Sequence, residues 1–182
     1  MRPIMTDRKS VNVTMDLSLY SIEDTDELRE AISLKVWLSL EWTDPTFTWN
    51  STEFGDLNRV EMAATSIWMP DLYLSGVREQ DELPRKEETL CDIYSHGVVH
   101  CDFHIMYTVH CDYHIARFPY DKQNCTFEFG SWKYPVVELD LYANSSAGNT
   151  SNFKANNEWK LLSFDLKRIL KQGPLLEKSK NE

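Results

Sequence analysis

Apolar and polar residues alternate along two long stretches of the chain, and this period of two most constrains its fold. Between residues 11 and 19 every odd position is apolar and every even one polar, and residues 34–40 carry Leu or Val at every even position. Successive side chains of a strand point to opposite faces of a sheet, so each stretch predicts a β-strand with one buried face. Trp37 falls on the face opposite the one that carries Leu34, Val36, Leu38 and Leu40.

Turn signals separate further short apolar runs. Examples are Asp44-Pro45, Ser75-Gly76, His96-Gly97 and Tyr134-Pro135. Strands spaced by such turns, with little helical periodicity, are typical of an immunoglobulin-like antiparallel β-sandwich in the all-β class. A length of 182 residues fits one domain, and no run of eighteen apolar residues is present to span a membrane.

Four cysteines and five Asn-x-Ser/Thr sequons predict an extracellular, oxidising environment. The cysteines are an even set without Cys-x-x-Cys spacing, which favours disulfides. The sequons are candidate glycosylation sites and begin at Asn12, Asn50, Asn124, Asn144 and Asn149.

The net charge of −10 excludes one class of partner and suits another. A nucleic-acid surface needs clustered Lys and Arg, so we expect no nucleic-acid partner. An acidic surface can draw cations towards the protein. A net charge of this size is equally consistent with acidic residues that only keep the protein soluble.

Cys91 and Cys101 flank a predicted hairpin turn. If Tyr94 pairs with Val98 across that turn, Cys91 lies directly opposite Cys101. Facing Cβ atoms are about 4.5–5.5 Å apart, which is near the range for a disulfide. We prefer a bridge across the hairpin, and two free thiols are the alternative.

A His-x-Asp-x-His pattern occurs twice, at residues 100–104 and 110–114. Imidazole and carboxylate are zinc ligands, but positions i and i+4 of a strand lie roughly 13 Å apart. One ion cannot bind both histidines of a set, so ligands would have to come from neighbouring strands, and we predict no metal site. The chain also has no nucleophile elbow, phosphate loop or HExxH motif, so we predict neither catalytic residues nor a cofactor.

The segment between Cys111 and Cys125 encloses thirteen residues and an apolar tip, Phe118-Pro119-Tyr120-Asp121. A disulfide closing this loop would stabilise the fold by about 3 kcal/mol on chain-entropy grounds. The sequence leaves the isomer of the bond before Pro119 open. Apolar residues at a loop tip favour docking onto another surface.

Together with its flanking motifs, this loop resembles the signature loop of the Cys-loop receptors, which are pentameric ligand-gated ion channels. Similar motifs run in the family's order along nearly the whole chain and are nearest to nicotinic acetylcholine receptor subunits. The resemblance implies a Cys111–Cys125 disulfide and a loop tip that couples ligand binding to a transmembrane channel domain. The matching stretches are residues 36–44, Thr48-Trp49-Asn50, residues 67–71, residues 129–132 and Asn157-Glu158-Trp159.

The resemblance also implies a small-molecule site between two subunits of a homomeric or heteromeric ring of five. The family holds a cationic amine in an aromatic box, each favourable contact contributing on the order of 0.5–2 kcal/mol. Trp132 matches the box tryptophan of the principal face, and Trp37 matches that of the complementary face. Ser75 lies near the position of a box tyrosine. His100 and Asp102 fall where the complementary face meets the ligand.

The chain departs from the family pattern in four further features. The vicinal cysteine pair of nicotinic α subunits is absent, and residues 171–174 with a charged tail stand where the last binding loop is expected. The family's N-terminal helix and final strand have no counterpart. We interpret residues 1–182 as a single extracellular ligand-binding domain given without those two elements.

Three alternatives remain at this point. One is a secreted pentamer similar to acetylcholine-binding protein, without a channel; a freely soluble homologue should carry polar residues at the 118–120 tip, which favours the receptor. The others are an immunoglobulin-like adhesion domain and, more distantly, a metal-dependent enzyme.

Overall fold

Two long strands form the centre of a nearly all-β architecture. The computed structural model describes residues 2–3, 10–82 and 85–169. Within those ranges the helical elements are two single 3₁₀ turns, and no helix is long and apolar enough to cross a membrane. The strands are β1 (Val11–Asp26), β2 (Ala31–Thr48), β3 (Arg59–Ala63), β4 (Leu72–Leu74), β5 (Val77–Glu82), β6 (Leu90–Tyr94), β7 (His96–His110), β8 (Phe129–Ser131) and β9 (Leu139–Ala143), and the 3₁₀ turns are Ser51–Phe54 and Ile115–Arg117.

The strands form a seven-stranded and a two-stranded sheet. The large sheet has the order β3-β6-β7-β2-β1-β9, with β5 also paired to β7, and the small sheet pairs β4 with β8. Every pair is antiparallel except β1–β9, which is parallel from Val11 opposite Leu139 onwards. The predicted all-β sandwich class is therefore confirmed, with one parallel pair, β1–β9, at an edge of the large sheet.

The period-two pattern places the core as predicted. The odd positions of residues 11–19 and the even positions of residues 34–40 are all buried, and they belong to one continuous apolar cluster. The small sheet covers this inner face, where the Phe129 ring meets the Tyr107 ring at a centroid distance of 6.1 Å. Polar and aromatic residues of the same strands therefore point to the opposite, outer face.

Both disulfides are present. Cys91 lies directly opposite Cys101 in the β6–β7 register, and both residues are fully buried. This is the bridge that the hairpin register predicts, so the alternative of two free thiols is wrong. The second disulfide joins Cys111 to Cys125 and closes the loop between β7 and β8.

Gly97 is required by the turn that joins β6 to β7. Its φ is +87°, and a Cβ there would lie 2.9 Å from the Asp44 carbonyl oxygen and 3.1 Å from Thr48 Cγ2. Gly55, with φ +68°, has open space around it. We expect Gly97→Ala to lower the free energy of unfolding by about 2–4 kcal/mol and Gly55→Ala by about 1 kcal/mol, because only the first adds a clash to the strain of a positive φ. Urea titrations measure both, and equal losses would contradict this assignment.

Tyr107 makes the fold sensitive to alkaline pH. Burial, and to a lesser degree the charge of Glu82, raises the pKa of its phenol. Above about pH 10 the unfolded chain loses this proton while the folded chain keeps it, so the free energy of unfolding falls as pH rises. Between about pH 8 and about pH 11, the free energy of unfolding of the wild-type chain should fall by about 1.4 kcal/mol more than that of Tyr107→Phe. Urea titrations at the two pH values measure this, and an unchanged decrease would count against it.

The five sequon asparagines are all exposed. Asn12 lies on β1, Asn50 precedes the Ser51–Phe54 turn, and Asn124 lies within the disulfide-closed loop. Their positions leave room for glycans, and glycosylation stays a prediction.

Candidate functional site

Trp132 follows β8 in a turn that Asp71 holds in place. The Asp71 carboxylate accepts hydrogen bonds from Ser131 Oγ at 2.6 Å and from the Lys133 amide at 2.7 Å. Ser131 Oγ in turn accepts from the Tyr134 amide at 2.8 Å. Residues 68–71 (Trp-x-Pro-Asp) and residues 130–132 (Gly-Ser-Trp) thus meet in space. Their hydrogen bonds fix the backbone on both sides of the Trp132 indole, which is 54% exposed.

Tyr73 is the aromatic neighbour of Trp132. The two rings meet edge to face with centroids 5.3 Å apart, because Tyr73 lies opposite Gly130 in the β4–β8 register. Ser75, the position that the sequence aligns with a box tyrosine, lies just beyond β4, where its amide donates to the Glu128 carbonyl. We call Trp132 and Tyr73 the Trp132 surface. Sequence reasoning missed Tyr73, although its place two residues before Ser75 puts both on one strand face.

Trp37 lies in a second aromatic group on the outer face of the large sheet. His104 faces it across the β2–β7 register with ring centroids 5.0 Å apart, and Tyr20 stacks on it at 6.3 Å and 25°. We call Tyr20, Trp37 and His104 the Trp37 surface. The Trp37 indole Nε1 is buried and has no hydrogen-bond partner among the residues that the structure describes.

His100 and Asp102 continue the outer face of β7 beyond His104. His100 Nε2 lies 3.3 Å from Asp102 Oδ1, and its Nδ1 lies 3.8 Å from a Glu41 oxygen. Ser39 Oγ donates to the Asp102 carboxylate. Two carboxylates, Glu41 and Asp102, therefore lie around His100 on the same outer face as the Trp37 surface, and they favour a cation nearby.

Trp37 and Trp132 lie on different sides of the chain. Trp37 is on the outer face of the large sheet, whereas β8 packs against the inner face through the contact of Phe129 with Tyr107. One chain therefore offers two separate aromatic surfaces. A single ligand can contact both only across an interface between two chains.

The loop closed by Cys111–Cys125 carries an exposed apolar tip. Phe118 is 78% and Tyr120 88% exposed, and the bond before Pro119 is cis. Asp121 is half-buried and accepts a hydrogen bond from the Gln123 side chain. The predicted coupling residues thus include two large aromatic side chains that face solvent, as docking requires.

The root of the same loop touches the turn between β1 and β2. The Tyr113 hydroxyl donates to the Ala31 carbonyl at 3.2 Å, and the Cys111 amide donates to the Glu30 carbonyl at 2.9 Å. Burial, followed by the charges of nearby carboxylates, raises the Tyr113 pKa to about 12. The expected last binding loop, residues 171–174, lies outside the described residues.

The sequence matches one family model over residues 1–181: the neurotransmitter-gated ion-channel ligand binding domain. Among curated proteins it is 29% identical to the human neuronal acetylcholine receptor subunit alpha-10 over 92% of this chain and 37% of that protein. It is 31% identical to acetylcholine receptor subunit alpha-type acr-16 of Caenorhabditis elegans, over 88% of this chain and 32% of that protein.

A third relative is acetylcholine receptor subunit alpha-type acr-5 of Caenorhabditis elegans, 32% identical over 88% of this chain and 28% of that protein. The chain therefore spans about a third of the length of the curated relatives it matches. The matched family consists of receptor domains rather than enzymes, and the matched residues include every feature of the two aromatic surfaces and the disulfide-closed loop. This chain belongs to the family of neurotransmitter-gated ion-channel ligand-binding domains.

Proposed function

We propose that the chain is the extracellular domain of a pentameric ligand-gated channel subunit and binds a small cationic amine between neighbouring subunits. The observation that carries this proposal is the exposed Trp132 indole beside Tyr73. Asp71 holds the backbone on both sides of Trp132 through hydrogen bonds from Ser131 and Lys133. A fixed indole open to solvent is suited to hold a cation over its face.

The two aromatic surfaces support assembly into a ring. The Trp132 surface and the Trp37 surface differ, so a contact that joins them is head-to-tail, and such contacts form a closed ring when the rotation between neighbours divides a full turn. The number five comes from the resemblance to Cys-loop receptors, and the chains of such a ring can be identical or different. His100 and Asp102, beside the Trp37 surface, then adjust ligand specificity from the complementary side.

Charge supports a cationic ligand. The chain carries a net charge of −10, and Glu41 and Asp102 lie beside His100 on the same outer face as the Trp37 surface. These charges draw amines to the interface and disfavour nucleic acid as a partner.

The proposal names a ligand class rather than one transmitter. The three relatives named above are acetylcholine receptor subunits. In this chain Ser75 stands near the box tyrosine position, and no two of the four cysteines are adjacent. A quaternary or protonated amine fits the remaining aromatic groups.

The loop closed by Cys111–Cys125 supports coupling to a transmembrane channel domain at the outer face of the plasma membrane. Exposed Phe118 and Tyr120 give it an apolar end that a membrane-embedded partner can cover. A secreted pentamer without a channel is the second candidate, and polar residues at this tip would have favoured it.

Choline and its uncharged isostere 3,3-dimethylbutan-1-ol test the proposed ligand class. We expect tryptophan fluorescence of the assembled protein to report choline binding at least about 10-fold tighter than that of the alcohol, since only choline carries a charge for cation–π attraction. Sedimentation of the same sample measures assembly. Equal affinities would contradict the amine site, and a monomer at every concentration would favour an adhesion domain.

A further inference from the structure

Three metal-ligand side chains meet where the turn between β1 and β2 reaches the end of β7. Glu30 closes that turn with a φ of +50°, His110 ends β7, and Asp112 follows the first cysteine of the disulfide-closed loop. The Cys111 amide donates to the Glu30 carbonyl at 2.9 Å and so fixes the two segments side by side. All three side chains are exposed and accessible to an ion.

Their ligand atoms are close enough to share one ion. One atom from each residue lies within 4.8 Å of the others, and His110 Nε2 is 3.0 Å from Asp112 Oδ1. Ligand atoms that lie about 2.0–2.2 Å from a tetrahedral zinc ion are roughly 3.4 Å from one another. Exposed carboxylates rotate easily, so small side-chain movements complete this geometry.

The His110 ring can present Nε2 to an ion once its proton is released. Its Nδ1 lies 3.1 Å from the Glu30 carbonyl oxygen, and its Nε2 lies 3.0 Å from Asp112 Oδ1, which only accepts hydrogen bonds, so a bound ion takes the place of the Nε2 proton while Nδ1–H donates to the carbonyl. Histidine ligands commonly donate their second ring N–H to a backbone carbonyl, which sets the tautomer and the ring position. The Arg78 guanidinium, 3.3 Å from Nδ1, can only donate there, so it favours the competing tautomer with the proton on Nε2, and its positive charge also opposes a cation.

The donor set selects the kind of ion. Calcium and magnesium prefer oxygen ligands alone, whereas imidazole with two carboxylates suits zinc and leaves a position for water. All four cysteines are in disulfides, so thiolates do not compete for the metal. The two histidines at residues 110 and 114 are too far apart along one strand to share an ion. Glu30, from a neighbouring segment, takes the place of the second histidine as a ligand.

We propose that Glu30, His110 and Asp112 form a zinc-binding site that links the β1–β2 turn to the root of the disulfide-closed loop. The site is separate from both aromatic surfaces and does not depend on the proposed amine ligand. A bound ion holds the turn and the loop together in one position.

The direct test is calorimetric titration of the untagged 182-residue chain with Zn²⁺, with Co²⁺ absorption as a probe of tetrahedral coordination. We expect one ion per chain, and His110→Gln or Asp112→Asn to weaken binding at least about 10-fold, since even loss of a residue that only orients a ligand has such an effect. Arg78→Gln should tighten binding, a gain that misfolding cannot produce. His100→Gln is the matched control, because His100 also lies beside two carboxylates, at 3.3 and 3.8 Å.

Each result decides the proposal. One site that is weakened by His110→Gln and Asp112→Asn, unchanged by His100→Gln and tightened by Arg78→Gln supports it. Absence of binding in the wild-type chain overturns it. Binding that survives His110→Gln, or that weakens equally in His100→Gln, overturns it as well.

Discussion

Trp132→Ala is expected to weaken choline binding at least about 30-fold while leaving the fold intact. The indole is 54% exposed, so its removal leaves little cavity, but it takes away the cation–π contact and the edge that Tyr73 packs against. A cation–π contact that the bound ligand shields from water contributes about 2 kcal/mol, which corresponds to an affinity ratio of about 30. Fluorescence of the remaining tryptophans or calorimetry measures the affinity.

Phe54→Ala is the matched control for this prediction, because Phe54 is a 61% exposed aromatic residue in the 3₁₀ turn after β2. Its removal should leave choline affinity within twofold, that is, within about 0.4 kcal/mol. If Trp132→Ala binds choline as tightly as Phe54→Ala does, Trp132 is not part of the amine site.

Ile93→Ala is expected to have the largest effect on stability. Ile93 is fully buried on β6 and lies between Val60 on β3 and Val99 on β7, so the structure cannot easily close over the lost atoms. Deleting this side chain should lower the free energy of unfolding by about 2–5 kcal/mol, a large part of the total for a domain of this size. The urea midpoint of unfolding measures the change.

Leu90, at the start of the same strand, supplies the control because it is 57% exposed. Leu90→Ala should change the free energy of unfolding by no more than about 0.5 kcal/mol. Similar losses in both variants would show that β6 is not a central strand of the sheet.

The features that the sequence predicted well depend on local pattern. The alternation of residues 11–19 and 34–40 determines the buried face of each strand, and the short hairpin turn at Gly97 puts Cys91 opposite Cys101. The same alternation also puts Trp37 on the opposite, outer face of β2. Each of these follows from neighbours along the chain or across one tight turn.

The features that it missed depend on pairing between distant segments. Tyr20 meets Trp37 only because β1 lies beside β2, and Tyr73 meets Trp132 only because β4 pairs with β8. The parallel β9 likewise has no local signal for the strand it joins. Glu30 reaches His110 through a contact between two segments eighty residues apart, and the His-x-Asp-x-His pattern carries no signal for which segment supplies that partner.

Mixing two inactive variants tests the central claim that the amine site joins two chains. Trp37→Ala and Trp132→Ala should each lose choline binding when assembled alone. Rings assembled from an equal mixture should recover high-affinity binding at about one quarter of their interfaces, where Trp132 of one chain faces Trp37 of its neighbour. Mixed rings that bind no choline, or either variant alone binding as tightly as the wild-type chain, would contradict an interfacial site.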